Sequence, residues 1–389
     1  MNPQQLAESY FLQTQADRRH LHSFPELSFK EFKTAEFVSA RLLESGFTVK
    51  SGVAKTGLVA SFDTGRDGPA ILLRFDMDAL PIQEENKVDY CSQIPGKMHA
   101  CGHDGHVAIG LTIGWMISQM KDLLTGTFHL LFQPAEEIGL GALEMVNEGV
   151  LDEIKPDHML GVHLWSEKPL GWLGITAGAM MAASGKLDIT VHGKGGHGGQ
   201  PQMTNDPIVT SAQIIQQIQT IVSRNLDPLD SAVVSICTLR AGKQFNIIPS
   251  KVEMSGTVRY FTERTYGILK QQLSEICEYT GRAMGCQVDL ELEVLVSATC
   301  NDPVVSGKVR EAAEKLDRQL QVDLTYRTML SEDVGVFLER VPGCFILVGA
   351  GDTNEGNRFP HHHPCFDFDE RAMPLAATLL LQSCLELAE

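Results

Sequence analysis

The chain has 389 residues, more than the roughly 250–300 residues at which single hydrophobic cores stop growing, so we expect two domains. Its 49 acidic and 32 basic residues give a net charge of −17, which argues against a nucleic-acid scaffold because phosphate backbones are bound by clustered Lys and Arg. No apolar run approaches the roughly 20 residues that span a bilayer, and the first residues lack the pattern of a signal peptide. The nine scattered cysteines are typical of reduced thiols. We therefore expect a cytoplasmic protein that binds neither nucleic acid nor membrane.

The first half of the chain alternates between helical and strand patterns. A helix is predicted from Met1 to about His20, followed by strands at 70–75, 127–132 and 158–164 and helices at 106–120 and 141–148. These strands are apolar throughout, as expected when both faces of a sheet are buried. The alternation indicates an α/β domain with a mostly parallel sheet and helices on both faces.

The rhythm changes near residue 184. Strand patterns at 186–192, 231–239, 251–261 and 286–294 and helix patterns at 206–224 and 262–284 follow in the order β-α-β-β-α-β. This order is the split βαβ, ferredoxin-like α+β arrangement. Helices at 303–320, at 333–340 and from about Asp369, with a strand at 344–348, then restore the first pattern. We predict one α/β domain (residues 1–183 and 296–389) interrupted by a smaller domain (residues 184–295).

Residues able to bind metal follow several predicted strands of the α/β domain. They are Asp76 and Asp78 after the first strand, Glu136 and Glu137 after the second, His163 at the end of the third, and the histidines 361–363 after the last. Open α/β sheets bind ligands outside the carboxyl ends of their strands. We therefore expect these distant segments to meet at one edge of the sheet.

The segment MHACGHDGH places Cys101 and His103 one residue apart in a Gly-rich turn before a helix. A thiolate and an imidazole this close suit a borderline-soft divalent ion such as zinc, although a lone cysteine is usually a small core residue. The adjacent Glu136 and Glu137 could act as a general base and a metal ligand. Without the other candidate ligands, we would interpret the two glutamates as solvent-exposed residues at a helix N-terminus.

A set of motifs occurs in order along nearly the whole chain. They are LRFDMDALPIQEE, MHACGHDGH, FQPAEE, GVHLW, GKGGHGGQP, FNIIP, GTVR and HHPCFDFDE. Together they closely resemble the metal-dependent amidohydrolases and metallopeptidases of the aminoacylase, hippurate hydrolase and indole-3-acetyl-amino-acid hydrolase family. The resemblance implies a catalytic α/β domain with an inserted dimerisation domain, and a homodimer or higher homo-oligomer formed through that domain.

The resemblance also implies a site with two divalent metal ions per subunit, Zn²⁺ or Mn²⁺. The ligands implied are Cys101, His103, Glu137, His163 and His362, and His361 and His363 remain rivals of the last. Glu136 would be the general base, and Asp78 an outer carboxylate that orients a ligand. His197 would polarise the scissile carbonyl, often from the partner subunit, and Asn246 and Arg259 would hold the polar end of the substrate.

This assignment predicts hydrolysis of the amide bond of an N-acyl-L-amino acid by general-base-assisted attack of a metal-bound water. The sequence departs from its relatives in the loops after Glu137 and His197, which leaves substrate preference open. Three alternatives remain. They are a dipeptidase or carboxypeptidase of the same fold, a thiol amidase that uses Cys101 as nucleophile and His103 as base, and a non-catalytic ligand-binding homologue.

Overall fold

The computed structural model describes residues 2–316, 319–351 and 359–389. Its α-helices are α1 (Pro3–Ser23), α2 (Phe32–Glu44), α3 (His103–Met120), α4 (Gly141–Asn147), α5 (Val150–Ile154), α6 (Pro207–Thr220), α7 (Glu263–Met284), α8 (Pro303–Leu316), α9 (Gly335–Leu338) and α10 (Ala372–Leu387). Its strands are β1 (Thr48–Val53), β2 (Gly57–Asp63), β3 (Ala70–Asp76), β4 (Thr127–Gln133), β5 (His158–Pro169), β6 (Trp172–Gly174), β7 (Gly178–Met181), β8 (Ala183–His192), β9 (Gly196–His197), β10 (Ala232–Ala241), β11 (Ile247–Ile248), β12 (Lys251–Tyr260), β13 (Gln287–Val296), β14 (Thr299–Asn301), β15 (Gln321–Asp323) and β16 (Gly343–Gly351).

The chain divides into two compact units. The larger unit comprises Met1–Gly178, Thr299–Tyr326 and Asp333–Glu389, and the smaller comprises Ala179–Ala298 and Arg327–Glu332. The chain therefore leaves the larger unit and returns to it. Each unit has its own hydrophobic core.

The larger unit is built on an eight-stranded sheet with the order β1-β2-β4-β3-β5-β16-β6-β15. Strand β3 runs parallel to β4 and β5, β5 runs parallel to β16, and β6 runs parallel to β15. The pairs β1–β2, β2–β4 and β6–β16 are antiparallel. The predicted mixed, mostly parallel α/β sheet is confirmed.

The central strands of this unit and the helix α3 are apolar in sequence and buried in the structure. Strands β3, β4 and β16 are buried along nearly their whole length, as their continuous apolar runs predict. Helix α3 is also buried along most of its length and packs with α1 and α10, and α10 packs with α8. A rigid core therefore lies beneath the ends of β3, β4 and α3, where polar residues collect.

The smaller unit contains a four-stranded antiparallel sheet in the order β10-β12-β8-β13. The chain order β8-α6-β10-β12-α7-β13 is the predicted ferredoxin-like arrangement. Helix α6 begins as the sequence indicates, because the carboxylate of Asp206 accepts hydrogen bonds from the backbone of Ile208 and Val209 and Pro207 occupies the first turn. Thr262 caps α7, because its hydroxyl oxygen accepts a hydrogen bond from the backbone N–H of Thr265.

Several elements differ from the sequence-based prediction. Helix α2 and strands β1 and β2 were not predicted, and β5 continues to Pro169, so His163 lies inside the strand rather than at its end. Helix α6 ends at Thr220 and continues as a π-helical turn, Ile221–Asn225. Among the residues that the structure describes, no helix combines the length and apolarity that crossing a membrane requires.

Candidate metal centre

A tight turn before α3 carries two of the predicted ligands. Gly102 has a φ of 88°, a left-handed conformation that glycine adopts without steric cost, and α3 begins at the next residue. Cys101 and His103 on either side of it are buried. His103 Nδ1 lies 2.9 Å from the main-chain oxygen of Asp78, so the ring uses that nitrogen to hold its orientation and keeps Nε2 for a ligand.

The carboxylate of Asp78 anchors the loop that carries the paired glutamates. Its Oδ1 accepts a hydrogen bond from the backbone N–H of Glu136 at 3.1 Å, and its Oδ2 accepts one from that of Glu137 at 3.1 Å. Ser28 Oγ also donates to Asp78 Oδ2, at 2.7 Å. The loop is strained at Ala135, a buried non-glycine residue with a φ of 54°. Asp78 therefore orients both His103 and the glutamate pair.

The five predicted ligands converge at one place in the larger unit. Overlapping clusters, each with its ligand atoms within 4.8 Å of one another, are Cys101 with His103 and His163, Cys101 with Glu137 and His362, and His103 with Glu136 and Glu137. Cys101 Sγ lies 3.6 Å from His163 Nε2. His362 Nε2 lies 3.3 Å from Glu137 Oε2, and His103 Nε2 lies 3.9 Å from Glu136 Oε2.

The histidines at positions 361–363 occupy three different environments. His362 has a φ of 67°, strained for a non-glycine residue, and its ring joins the cluster described above. His361 Nε2 lies 3.0 Å from the main-chain oxygen of Leu164. His363 stacks on Phe359 with ring centroids 4.4 Å apart. Within the described residues, His362 is thus the member of the triplet that reaches the cluster.

The main chain of Leu164 orients two further imidazoles. Its N–H donates to His106 Nε2 at 2.9 Å, so the proton of this ring is on Nδ1, which donates to Asp76 Oδ1 at 2.6 Å. His163 Nδ1 donates to the Leu164 oxygen at 2.8 Å, which leaves Nε2 of His163 as the ligand atom. Both nitrogens of His106 are occupied, so we interpret this residue as structural.

Comparison with known proteins decides the family. The model of Peptidase family M20/M25/M40 matches residues 72–386. The chain belongs to this family. N-acetyl-L-cysteine deacetylase of Bacillus subtilis (strain 168) is 37% identical over 372 residues, which cover 96% of this chain and 87% of that protein. IAA-amino acid hydrolase ILR1-like 5 of Arabidopsis thaliana is 36% identical over 372 residues, 93% of this chain and 84% of that protein.

A solved structure from the same family gives a similar result for the fold. A Bacillus subtilis protein described as a dinuclear metal-binding peptidase of the M20 family superposes with a TM-score of 0.86 at 31% identity, covering 98% of this chain and 99% of that one. The resemblance inferred from the motifs is confirmed. So is the prediction of a metal-dependent enzyme that hydrolyses amide bonds.

The atoms of the centre fit a divalent cation, as expected in this peptidase family. His103 Nε2 and Glu137 Oε1 are buried without a hydrogen-bond partner in the described part of the chain. Burying polar atoms unpaired costs free energy, and a coordinated cation would offset that cost. The mixture of sulfur, imidazole nitrogen and carboxylate oxygen suits borderline ions such as zinc.

The electrostatics of the centre favour positive charge. Burial alone would lower the pKa of His103, but Asp76 and Cys101 raise it well above its ordinary value. Contacts with Cys101 and Glu137 raise the pKa of His362 to about 10. Without metal, His103 and His362 therefore hold protons that cation binding would release, whereas burial, and then the neighbouring His106 and His361, lower the pKa of His163 well below its ordinary value.

A buried ion cluster beneath the centre was not predicted. Arg74 Nη1 lies 2.6 Å from Asp76 Oδ2, its Nη2 lies 3.1 Å from Asp333 Oδ1, and its Nε donates to Gln133 Oε1 at 2.8 Å. Arg74, Asp76 and Asp333 are fully buried. The sequence showed Asp76 at the end of a predicted strand. No local pattern, however, predicts that Arg74 pairs with Asp333, which is 259 residues away in the chain. This cluster fixes the end of β3 from which Asp78 follows.

The remaining predicted site residues lie in the smaller unit. Strand β9, which contains His197, pairs with β11, and the N–H of Gly198 donates to the main-chain oxygen of Asn246 at 2.8 Å. The N–H of Gly199 donates to His197 Nδ1 at 3.0 Å, so a neutral ring carries its proton on Nε2. Arg259 lies on β12, its Nη1 donates to the main-chain oxygen of Val258 at 2.9 Å and to the Thr257 hydroxyl, and it has no ion-pair partner among the residues described. Its role and those of His197 and Asn246 stay predictions.

Proposed function

We propose that this chain hydrolyses the amide bond of N-acyl-L-amino acids with two divalent metal ions, Zn²⁺ or Mn²⁺. One observation carries the proposal, the convergence of Cys101, His103, Glu137, His163 and His362 beside Glu136. These five side chains come from four segments that are distant in sequence, and packing of the apolar core does not require polar side chains to converge. Membership of a peptidase family and the relatives described above support the same reaction class.

The chemistry follows from the positions of these side chains. Two divalent cations, when bound, would lower the pKa of a water toward about 7 and polarise the scissile carbonyl. Glu136 would accept a proton from the attacking water and deliver it to the departing amine. Asp78 holds the backbone of Glu136, so the base stays in place while it exchanges its proton.

The smaller unit would bind the polar end of the substrate. Arg259, without an acidic partner among the described residues, offers a guanidinium that binds a carboxylate through two hydrogen bonds. His197, with its proton on Nε2, would donate a hydrogen bond to the carbonyl oxygen, and Asn246 would add a further polar contact. Because Arg259 would bind a free carboxylate, we expect the enzyme to prefer N-acyl amino acids over neutral amides.

The same unit would also form the homodimer or higher homo-oligomer that the family resemblance implies. Strand β10 lies at the edge of its sheet, and within the described residues no strand pairs with its outer side. Leu239 on this strand and the fully exposed Phe245 nearby are apolar side chains that a second copy would cover. The inserted dimerisation domain predicted at residues 184–295 overlaps this unit.

The environment of Cys101 speaks against the thiol amidase alternative. Burial, and then the Glu137 carboxylate, raise the pKa of the Cys101 thiol. A nucleophilic cysteine needs a lowered pKa, because the thiolate is the reactive form. Without a cation, Cys101 is therefore held as a poor nucleophile. The dipeptidase and carboxypeptidase alternatives use the same centre and differ in substrate.

The direct test of the proposed reaction is Glu136→Gln. General acid–base catalysis contributes roughly 10²–10⁴-fold, so we expect turnover of N-acetyl amino acids to fall by at least about 100-fold while two metal ions still bind per chain. Release of the free amino acid and the metal content of the purified protein would be measured together. Dipeptides and C-terminally extended peptides in the same assay would separate acylase from peptidase activity.

Two further variants serve as controls. Glu137→Gln should lose both turnover and metal, because Glu137 lies in two ligand clusters. Glu144→Gln, an exposed change on α4, should leave both unchanged. Wild-type turnover in the Glu136→Gln variant would remove this residue from the role of base. A wild type inactive on the whole panel with metal bound would favour the non-catalytic alternative.

A further inference from the structure

A fully buried arginine on α1 takes no part in the chemistry described above. The Arg18 side chain is 0% exposed and ion-paired to three carboxylates. Its Nε lies 2.8 Å from Asp104 Oδ2, its Nη2 2.8 Å from Asp367 Oδ1 and its Nη1 3.2 Å from Glu370 Oε1. Burying a guanidinium is costly, so the arrangement needs a reason beyond simple packing.

The three carboxylates belong to two segments that carry predicted ligands. Asp104 directly follows His103 in the first turn of α3. Asp367 and Glu370 follow His362 in the motif HHPCFDFDE. The single side chain of Arg18 thus bonds to both segments, although neither segment is its neighbour in sequence.

Other groups hold the arginine and its partners in one arrangement. The ring of His22, one turn further along α1, lies 2.8 Å from Asp104 Oδ2 and 3.2 Å from Glu84 Oε1. The Tyr90 hydroxyl donates to Asp367 Oδ2 at 2.7 Å, and the Arg18 guanidinium lies 4.8 Å from the centroid of the Tyr90 ring. These contacts fix both ends of the bridge.

We propose that Arg18 is a positioning residue that sets the separation between the Cys101–His103 turn and His362 so that both can bind the cation pair. The inference rests on the proposed metal site. The guanidinium is planar and its donors are fixed in a fork, so bonding to both segments determines their distance and orientation. His362 sits in a strained left-handed conformation that its surroundings must impose, and two partners of Arg18, Asp367 and Glu370, lie in the same segment of the chain.

The neighbouring Arg19 provides an internal comparison. Of the carboxylates in the described residues it pairs with Glu370 alone, with Nη2 2.7 Å from Oε2, its guanidinium lies 4.6 Å from the centroid of the Tyr90 ring, and its side chain is 36% exposed. It therefore holds one segment and not the other. Arg41 also pairs with a carboxylate of α1, Asp17, and among the described residues its other ion-pair partner is Glu44, which lies in neither ligand segment.

The test measures metal binding and stability rather than turnover alone. Arg18→Gln, Arg18→Lys, Arg19→Gln and Arg41→Gln would be stripped of metal with a chelator. Each would then be titrated with Zn²⁺ by calorimetry and melted with and without Zn²⁺. Groups that hydrogen-bond a metal ligand directly contribute about 10–100-fold in affinity, and Arg18 acts through residues beside the ligands, so we expect Zn²⁺ affinity to fall by about 10-fold, the lower end of that range, in both Arg18 variants.

A merely structural role would give a different signature. It would lower the melting temperature equally with and without Zn²⁺, and we expect that result for Arg41→Gln. The positioning role predicts that the Zn²⁺-induced rise in melting temperature itself shrinks in the Arg18 variants, since ligand stabilisation follows affinity. Arg19→Gln should lie between wild type and Arg18→Gln.

Removing Asp367 and Glu370 together keeps the proposal testable if the Arg18 variants do not fold. Asp367 is 31% exposed and Glu370 is 11% exposed, and both belong to the His362 segment, so Asp367→Ala combined with Glu370→Ala breaks the bridge and leaves Arg18 paired with Asp104 alone of its three carboxylates. Wild-type Zn²⁺ affinity in the Asp367→Ala/Glu370→Ala variant, or in an Arg18 variant that folds, would overturn the positioning role. A wild-type chain that binds no Zn²⁺ or Mn²⁺ would instead overturn the proposed function on which it rests.

Discussion

Single residues in the larger unit show how burial determines charge. His129 lies on β4, is 7% exposed and has its Nδ1 2.8 Å from Ser61 Oγ. Burial lowers the pKa of His129 below 6.5. The folded state therefore holds this ring neutral at pH values where the unfolded chain binds a proton, and stability is lost as the pH falls through about 6.5.

Replacing His129 should make the free energy of unfolding less dependent on pH in the acidic range. In His129→Gln, we expect the free energy of unfolding to fall less between about pH 7.5 and about pH 5.5 than in wild type, by at most about 1.4 kcal/mol per pH unit for one proton. Urea unfolding of both proteins with chelator present would measure it. An identical pH dependence in the two proteins would contradict the assignment.

The residues of the centre differ in how far sequence alone could identify them. Cys101, His103 and the glutamate pair follow short local patterns, so the sequence alone identified them as candidates for metal ligands and a base. The choice among positions 361–363 required the backbone, because three adjacent histidines have the same composition signal and differ in φ and neighbours. The partners of Arg18 lie 86, 349 and 352 residues away, and no periodicity predicts such pairs.

At the scale of elements, α3 shows why the centre sits on a rigid base. A Cβ atom at Gly110 would lie 2.7 Å from Phe75 Cδ2 and 2.8 Å from Phe132 Cζ. The absent side chain lets α3 approach β3 and β4 closely. That approach fixes the helix from whose first turn His103 projects.

An added methyl group at this position should destabilise the protein. We expect Gly110→Ala to lower the free energy of unfolding by about 1–3 kcal/mol, because two aromatic rings on adjacent strands must shift. Gly307→Ala on α8 is the matched control, since a Cβ there meets nothing within 4 Å. That variant should gain up to about 1 kcal/mol from helix propensity. Equal denaturation midpoints for the two variants would contradict this account of α3 packing.

The strength of the sequence signal also varied among elements. Strands β3, β4 and β16 are buried on both faces, so their apolar runs predicted them. Strand β1 has mostly exposed side chains and a mixed sequence, TVKSGV, which gives neither a run nor an alternation. Helix α2 begins after Glu31, whose side chain makes no capping hydrogen bond, so no start signal was visible.

At the scale of the molecule, the chain combines a metal-binding α/β unit with an inserted ferredoxin-like unit. The interruption was visible in the sequence because the spacing of strands and helices changed near residue 184 and changed back near residue 296. Each unit contributes a distinct part of the proposed chemistry. The larger unit would bind the cations and hold the base, and the smaller would bind the substrate carboxylate and a second copy of the chain.

The central claim is that cations held by Cys101, His103, Glu137, His163 and His362 are required for amide hydrolysis. The most direct measurement returns Zn²⁺ or Mn²⁺ in steps to chelator-treated protein while release of the amino acid from N-acyl amino acids is followed. The account predicts no hydrolysis without metal and a full rate at about two ions per chain. Hydrolysis that persists after complete removal of metal would contradict it.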